Sequence, residues 1–133
     1  MPMAIAARAD LYRLGSAAPT ERLEDCLARI TAEDAAIGAF VAVDPAGARR
    51  DAAESCARWR ADAPRSPIDG VIVGVKANIA VAGWPWHAGI DAYRDRVADR
   101  DAACIARLRA GGAVLIGLTN MDEGALGAAA DNP

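Results

Sequence analysis

The chain has 133 residues, a formal net charge of -3 and a hydrophobic fraction of 53%, while aromatic residues make up only 5%. That length is one domain's worth of core, built from small aliphatic side chains and not from large rings. Acids and bases are mixed, with no basic run to track phosphates, so contact with nucleic acid is not expected. Cys26, Cys56 and Cys104 are odd in number and widely spaced, which argues against a disulfide framework or a thiolate metal site. They read as small core residues on the apolar sides of helices in a reducing compartment. The N-terminus has no cationic segment before its apolar residues, and no stretch approaches a membrane span. A cytoplasmic location is the resulting expectation.

In chain order, residues 2–14 suit a first helix ending near Gly15-Ser16. Pro19-Thr20 opens a second, with Thr20 as cap, Glu21 and Glu24 at its positive end, and Leu23, Cys26, Leu27 and Ile30 at helical spacing. Residues 39–43 form a short apolar strand. Asp44-Pro45 then starts a helix whose Ala48, Ala52, Cys56 and Trp59 share one face. Residues 64–67, rich in proline, form the only linker-like stretch. After it comes Asp69-Gly-Val-Ile-Val-Gly-Val-Lys-Ala-Asn, β-branched and glycine only between Gly70 and Lys76, which suits a strand buried on both faces.

Residues 79–90 form a Gly/Pro-containing loop with two tryptophans. Asp99 or Asp101 caps a further helix with Ala102, Ile105 and Leu108 inward and Gly111-Gly112 as terminator. Residues 113–117 form the next strand. Strand, crossover helix and strand make a βαβ unit around 70–117, so the two strands should be parallel neighbours. The tail from residue 121 onward is small and irregular, and there is no internal repeat.

Among chemical candidates, Lys76 stands at the carboxyl end of a strand, where side chains point into ligand crevices of open α/β sheets. Desolvated there it becomes a base; otherwise it simply reaches to water. His87 is the sole histidine, in a Gly/Pro loop, and suits a loop or pocket wall better than a base. Cys104 lies inside an amphipathic helix, a poor place for a nucleophile. Gly70 and Gly74 sit within the strand and not in a phosphate-cradling turn. Asp122 and Glu123 either bind a metal or an amine, or are solvated.

The motifs at residues 69–83, Asp-Gly-Val-Ile-Val-Gly-Val-Lys-Ala-Asn-Ile-Ala-Val-Ala-Gly, resemble the conserved core of the amidase signature family. The match continues through Asp101-Ala-Ala-Cys-Ile-Ala-Arg-Leu-Arg-Ala-Gly-Gly-Ala-Val-Leu-Ile-Gly, Thr119-Asn-Met-Asp-Glu-Gly-Ala-Leu-Gly and Asp131-Asn-Pro. The resemblance runs from about Thr20 to Pro133. It implies an α/β fold, the N-terminal part of a mixed β-sheet covered by helices. Residues 1–67 would be an N-terminal helical region and 68–133 the start of the amidase core.

The same resemblance implies amide (C–N) bond hydrolysis by a lysine, a serine with a cis peptide bond and a nucleophilic serine. Lys76 matches the lysine. Met121 and Ala125 match substrate-binding positions, and no cofactor or metal is implied. A serine hydroxyl needs a base to attack a carbonyl, and only a neutral lysine can serve. Ser16, Ser55 and Ser66 are all the serines present, and none lies in the Gly/Ser-rich context of the family. The serines are therefore expected on downstream sequence or a partner chain, and this stretch alone is expected to be inactive. Ala77 stands where the family usually has aspartate, and Trp86-His87 and Ile90 replace the common Thr-Thr and Ser.

Expected partners are a small-molecule amide and the remainder of the enzyme, with a homodimer as a further possibility. Two alternatives stay open: an inactive fragment or interaction module that pairs with another chain through an open strand edge, and the glutaminase subunit of a tRNA-dependent amidotransferase.

Overall fold

The computed structural model describes residues 4–127. The Asp131-Asn-Pro motif, like the start of the first expected helix at Pro2, lies outside the described residues. Helix α1 spans Ile5–Arg13, α2 Pro19–Ile37, and strand β1 Phe40–Val43. Helix α3 (Pro45–Arg60), strand β2 (Ile72–Lys76), helix α4 (Ala103–Ala110) and strand β3 (Val114–Thr119) follow, with single 3-10 turns at Asp91–Tyr93 and Glu123–Ala125. The strands form one sheet in the order β1-β3-β2. β2 and β3 are parallel, as the βαβ pattern requires, and β1 runs antiparallel on the other side of β3.

β3 is buried along nearly its whole length and divides the core in two. Val114 and Ile116 join Leu23 and Leu27 of α2 and Ala48 and Ala52 of α3. Leu115 and Leu118 join Val75, Val81, Ile105 of α4 and Met121. Helices thus cover both faces of the strand, and the alanines of α3 let that helix approach closely. The expected face of α3 is the observed one: Ala48, Ala52, Cys56 and Trp59 are all buried. Asp44 caps it by accepting the Gly47 N–H at 2.9 Å.

Several expectations are corrected. Helix α2 begins at Pro19 with extended Ala18 ahead of it, so Thr20 is inside the helix and does not cap it. Glu21 instead accepts the Ala18 N–H at 3.1 Å, and the Thr20 hydroxyl lies 3.5 Å from the Cys56 sulfur. Neither Asp99 nor Asp101 caps α4, whose N-cap is Ala102. Asp101 is turned away to accept from the Ala82 N–H (2.8 Å) and from Arg109 Nε (3.0 Å). Of the cysteines, Cys56 is buried and Cys26 half-buried, but Cys104 is exposed because the short α4 turns that side outward.

The strand through Lys76 starts later than its composition suggests. Gly70 has φ +81, a left-handed conformation that ends the turn before β2, and a Cβ there would meet the Pro19 ring at 2.5 Å. Nor is β2 buried on both faces. It is the outer strand of the sheet among the described residues, with Val75 buried while Gly74 and Lys76 are exposed. The proline-rich stretch before it is tied down and not a loose linker: Ser66 donates to the Gly111 carbonyl at 2.7 Å and Arg65 N–H donates to Asp69 at 2.8 Å.

Candidate active site

The parallel pairing of β2 and β3 sets Lys76 opposite Thr119. The Ala77 N–H donates to the Thr119 carbonyl (3.1 Å), and the Ile79 N–H closes a turn on the Lys76 carbonyl (2.9 Å). The carboxyl ends of the two strands are thereby fixed side by side. Asn120 braces this end from the other side, its backbone N–H donating to the Ala39 carbonyl (2.7 Å) and its side chain to Gly38 (3.1 Å). Residues of a strand alternate between faces. Val75 and Ala77 enter the core, and Lys76 emerges on the opposite side.

Lys76 is exposed among the described residues, so the desolvation expected of a basic lysine is not supplied by them. Ala77 is 1% exposed and sits in the core. An aspartate at that position would be buried and would need a hydrogen-bonding partner there. Met121 is likewise a core residue, 2% exposed, packed with Val75 and Val81, so only its backbone is left to face a ligand. Ala125 is exposed and adopts φ 64, rare for a residue with a Cβ.

A second left-handed alanine, Ala88 (φ 51), lies in the loop after β2. Its carbonyl accepts the Gly124 N–H at 2.9 Å, so the loop and the Glu123–Ala125 turn are joined where both backbones are strained. Strain of this kind persists only where surrounding contacts fix it. His87 accepts the Gly89 N–H on Nδ1 at 3.2 Å. Trp86 donates from Nε1 to the Asn78 carbonyl at 3.1 Å, bringing the loop back to the end of β2. Glu123 is exposed, and no group of three or more potential metal ligands occurs among the described residues.

The opposite end of β2 holds an ion pair that sequence reading missed. Asp69 is fully buried and accepts both Arg58 Nε (2.8 Å) and Arg58 Nη2 (2.7 Å). Burial pushes its carboxyl up, but the two-pronged Arg58 contact and the Arg65 N–H outweigh it and hold the group below the usual carboxylate range. Gly112 (φ +86) completes the seat: a Cβ there would lie 2.5 Å from the Asp69 carboxyl carbon. The Trp59 indole donates to the Asp69 carbonyl at 3.1 Å. Nothing in a sequence marks Arg58 and Asp69 as partners, since helix end and strand start meet only through the turn between them.

This end also accounts for two of the three serines. A Cβ on Gly70 would lie 2.7 Å from the Ser55 hydroxyl, and Ser66 is bound to Gly111 before β3. From Gly70 to Lys76 is six residues of nearly extended chain, about 20 Å. Neither serine can reach the lysine.

Comparison with known proteins gives a consistent answer. The sequence model of the Amidase family matches residues 21–133. The A subunit of the glutamyl-tRNA(Gln) amidotransferase of Anaeromyxobacter dehalogenans is 42% identical over 113 residues, covering 85% of this chain and 23% of that protein. A solved amidase superimposes with a TM-score of 0.87 at 32% identity, over 98% of this chain and 30% of its own. The peptide amidase of Stenotrophomonas maltophilia gives 0.82 at 30% identity, over 90% and 25%. The chain thus spans about a quarter of the length of the relatives it matches, and no helix among the described residues is long and apolar enough to cross a membrane. With a family match over most of its length and the same fold in solved amidases, the chain belongs to the amidase signature family.

Proposed function

We propose that this chain is the N-terminal part of an amide-bond hydrolase in which Lys76 is the base of a Ser–cis-Ser–Lys set, both serines coming from the remainder of the enzyme or from a partner chain. The observation that carries the reading is the placement of Lys76 at the carboxyl end of β2, on the outer strand and beside the end of β3. A lysine there is open to catalytic groups arriving from sequence that packs against this side. The same packing would withdraw it from water and favour the neutral, proton-accepting amine.

Lys76 would take the proton of the bridging serine as that serine takes the proton of the nucleophile. The nucleophilic oxygen then attacks the amide carbonyl, and the proton returns to the leaving ammonia or amine. Water hydrolyses the resulting ester by the same relay. Backbone groups at Met121 and Ala125 are the substrate contacts we assign on this side of the site. Ser55 and Ser66 are out of reach of Lys76, and the chain alone is expected to be inactive. The test is ammonia release from simple amides by the full-length protein and its Lys76→Ala variant. Activity that survives the substitution overturns the assignment.

A second reading is favoured by the outer edge of β2, which no strand pairs among the described residues, and by a groove of about 490 Å³ over the sheet face, lined by Ile72, Gly74, Phe40, Ile116 and Ile30. An unpaired strand edge is a template for pairing, so the chain would act as a non-catalytic module that binds another chain. A glutaminase subunit of a tRNA-dependent amidotransferase combines the two ideas, and identity to an amidotransferase A subunit supports it. Scattering coupled to size exclusion separates them, because a well-behaved folded monomer counts against the module.

A further inference from the structure

The loop between β2 and α4 is built as a short antiparallel ribbon. Pro85 and Val97 form a bridge, the Trp86 N–H donates to the Arg96 carbonyl (2.8 Å), and the Ala98 N–H donates to the Trp84 carbonyl (3.0 Å). The ribbon places Arg96 against two rings. Its guanidinium carbon lies 4.5 Å from the centre of the Trp86 ring and 5.0 Å from that of Tyr93. Trp86 is itself fixed by its hydrogen bond to the Asn78 carbonyl, two residues beyond Lys76. The stack is therefore tethered to the backbone two residues beyond the lysine.

Of the other arginines in this part of the chain, Arg94 pairs with Asp91 and Arg109 with Asp101, while Arg100 and Arg107 have no ion pair among the described residues. Arg96 is exposed and has no ion pair among the described residues, although Asp95 is its neighbour in sequence. Rings engage the faces of a guanidinium and leave its N–H edge unused. That edge is a planar fork that matches a carboxylate, and stacking holds it in one orientation.

We propose that Arg96, held on Trp86 and Tyr93, is a specificity-determining residue that receives a carboxylate on the amide substrate. The proposal rests on the amide-hydrolase reading and names the substrate class as amides that bear a second, anionic group.

The test compares succinamate with butyramide, which have the same amide and nearly the same length but differ in the terminal carboxylate. In the full-length protein, kcat/KM for succinamate should exceed that for butyramide by about tenfold or more. Arg96→Gln should bring the ratio to about one, and Arg96→Lys should leave it between. A wild-type ratio of about one, or a ratio that Arg96→Gln does not change, overturns the proposal. If neither amide is hydrolysed, the amide-hydrolase reading fails and binding decides the anion site. Saturable binding of succinamate, followed by tryptophan fluorescence and abolished by Arg96→Gln, supports it; no binding, or binding indifferent to the substitution, overturns it.

Discussion

The two ends of β2 are made in different ways. At its start, Asp69 is locked between Arg58, Arg65 and Gly112, and the strand rests on helices whose side chains interlock over β3. At its end, Lys76 emerges to solvent and the following loop is held by backbone hydrogen bonds, one indole and one stacked arginine. The first end buries its carboxylate completely and satisfies it with Arg58 and the Arg65 N–H, so that carboxylate contributes to stability. The second leaves the Lys76 side chain accessible, above a strand end whose Val75 and Ala77 are buried. One five-residue strand joins the two ends.

The sharpest way to break this contrast is at Lys76. If Lys76 is the proposed base, Lys76→Ala in the full-length protein should lower amide hydrolysis by about 10²–10⁴-fold, while a urea melt moves by less than about 0.5 kcal/mol because the side chain is exposed. A large loss of stability would place Lys76 with the structural end. Asp69→Ala is the converse. It leaves the Arg58 guanidinium, 19% exposed, without its partner, and should cost about 3–5 kcal/mol by denaturant unfolding.

The same pair sets an acid limit. Because the folded Asp69 carboxyl titrates below its usual value, its contribution is complete above the unfolded carboxylate value of 3.8 and is lost as pH falls through the lower folded value. Stability measured from pH 6 downward should fall in that window, and the step should vanish in Asp69→Ala.

Leu23→Ala, in the fully buried contact of α2 with β3, should cost about 2–5 kcal/mol in the same melt. The smallest effect belongs to the loop. Trp86→Phe removes the bond to Asn78 and should cost about 1 kcal/mol. It should appear as faster amide exchange at residues 84–98 with β3 unchanged. Protection lost uniformly across the sheet would show that the two ends are not separable.

What could be read in the sequence follows the same division. The α3 face of Ala48, Ala52, Cys56 and Trp59 and the parallel β2–β3 pair were legible because periodicity and the βαβ rule act through regular structure. Lys76 was legible as a strand-end lysine. The exposure of Lys76 was not, since composition describes a strand and not its place in a sheet. Asp101 drew attention as a helix cap but is engaged by Ala82 and Arg109, contacts that only the folded loop creates. The Arg58–Asp69 pair and the Arg96 stack join residues with no shared period, so no pattern announces them.

The order of the strands carries a consequence for how the chain is made. β3 is central in space yet last of the three in sequence. During synthesis α2 and α3 can dock on each other early, but β1 and β2 have no partner in this sheet until residues 114–119 emerge. Until then the β2 edge that pairs with β3 and the apolar faces of the helices stay open, so this part of the chain depends on β3 to cover them. Slowing translation just before residue 114 should lengthen that exposure, and slowing it after residue 119 should not.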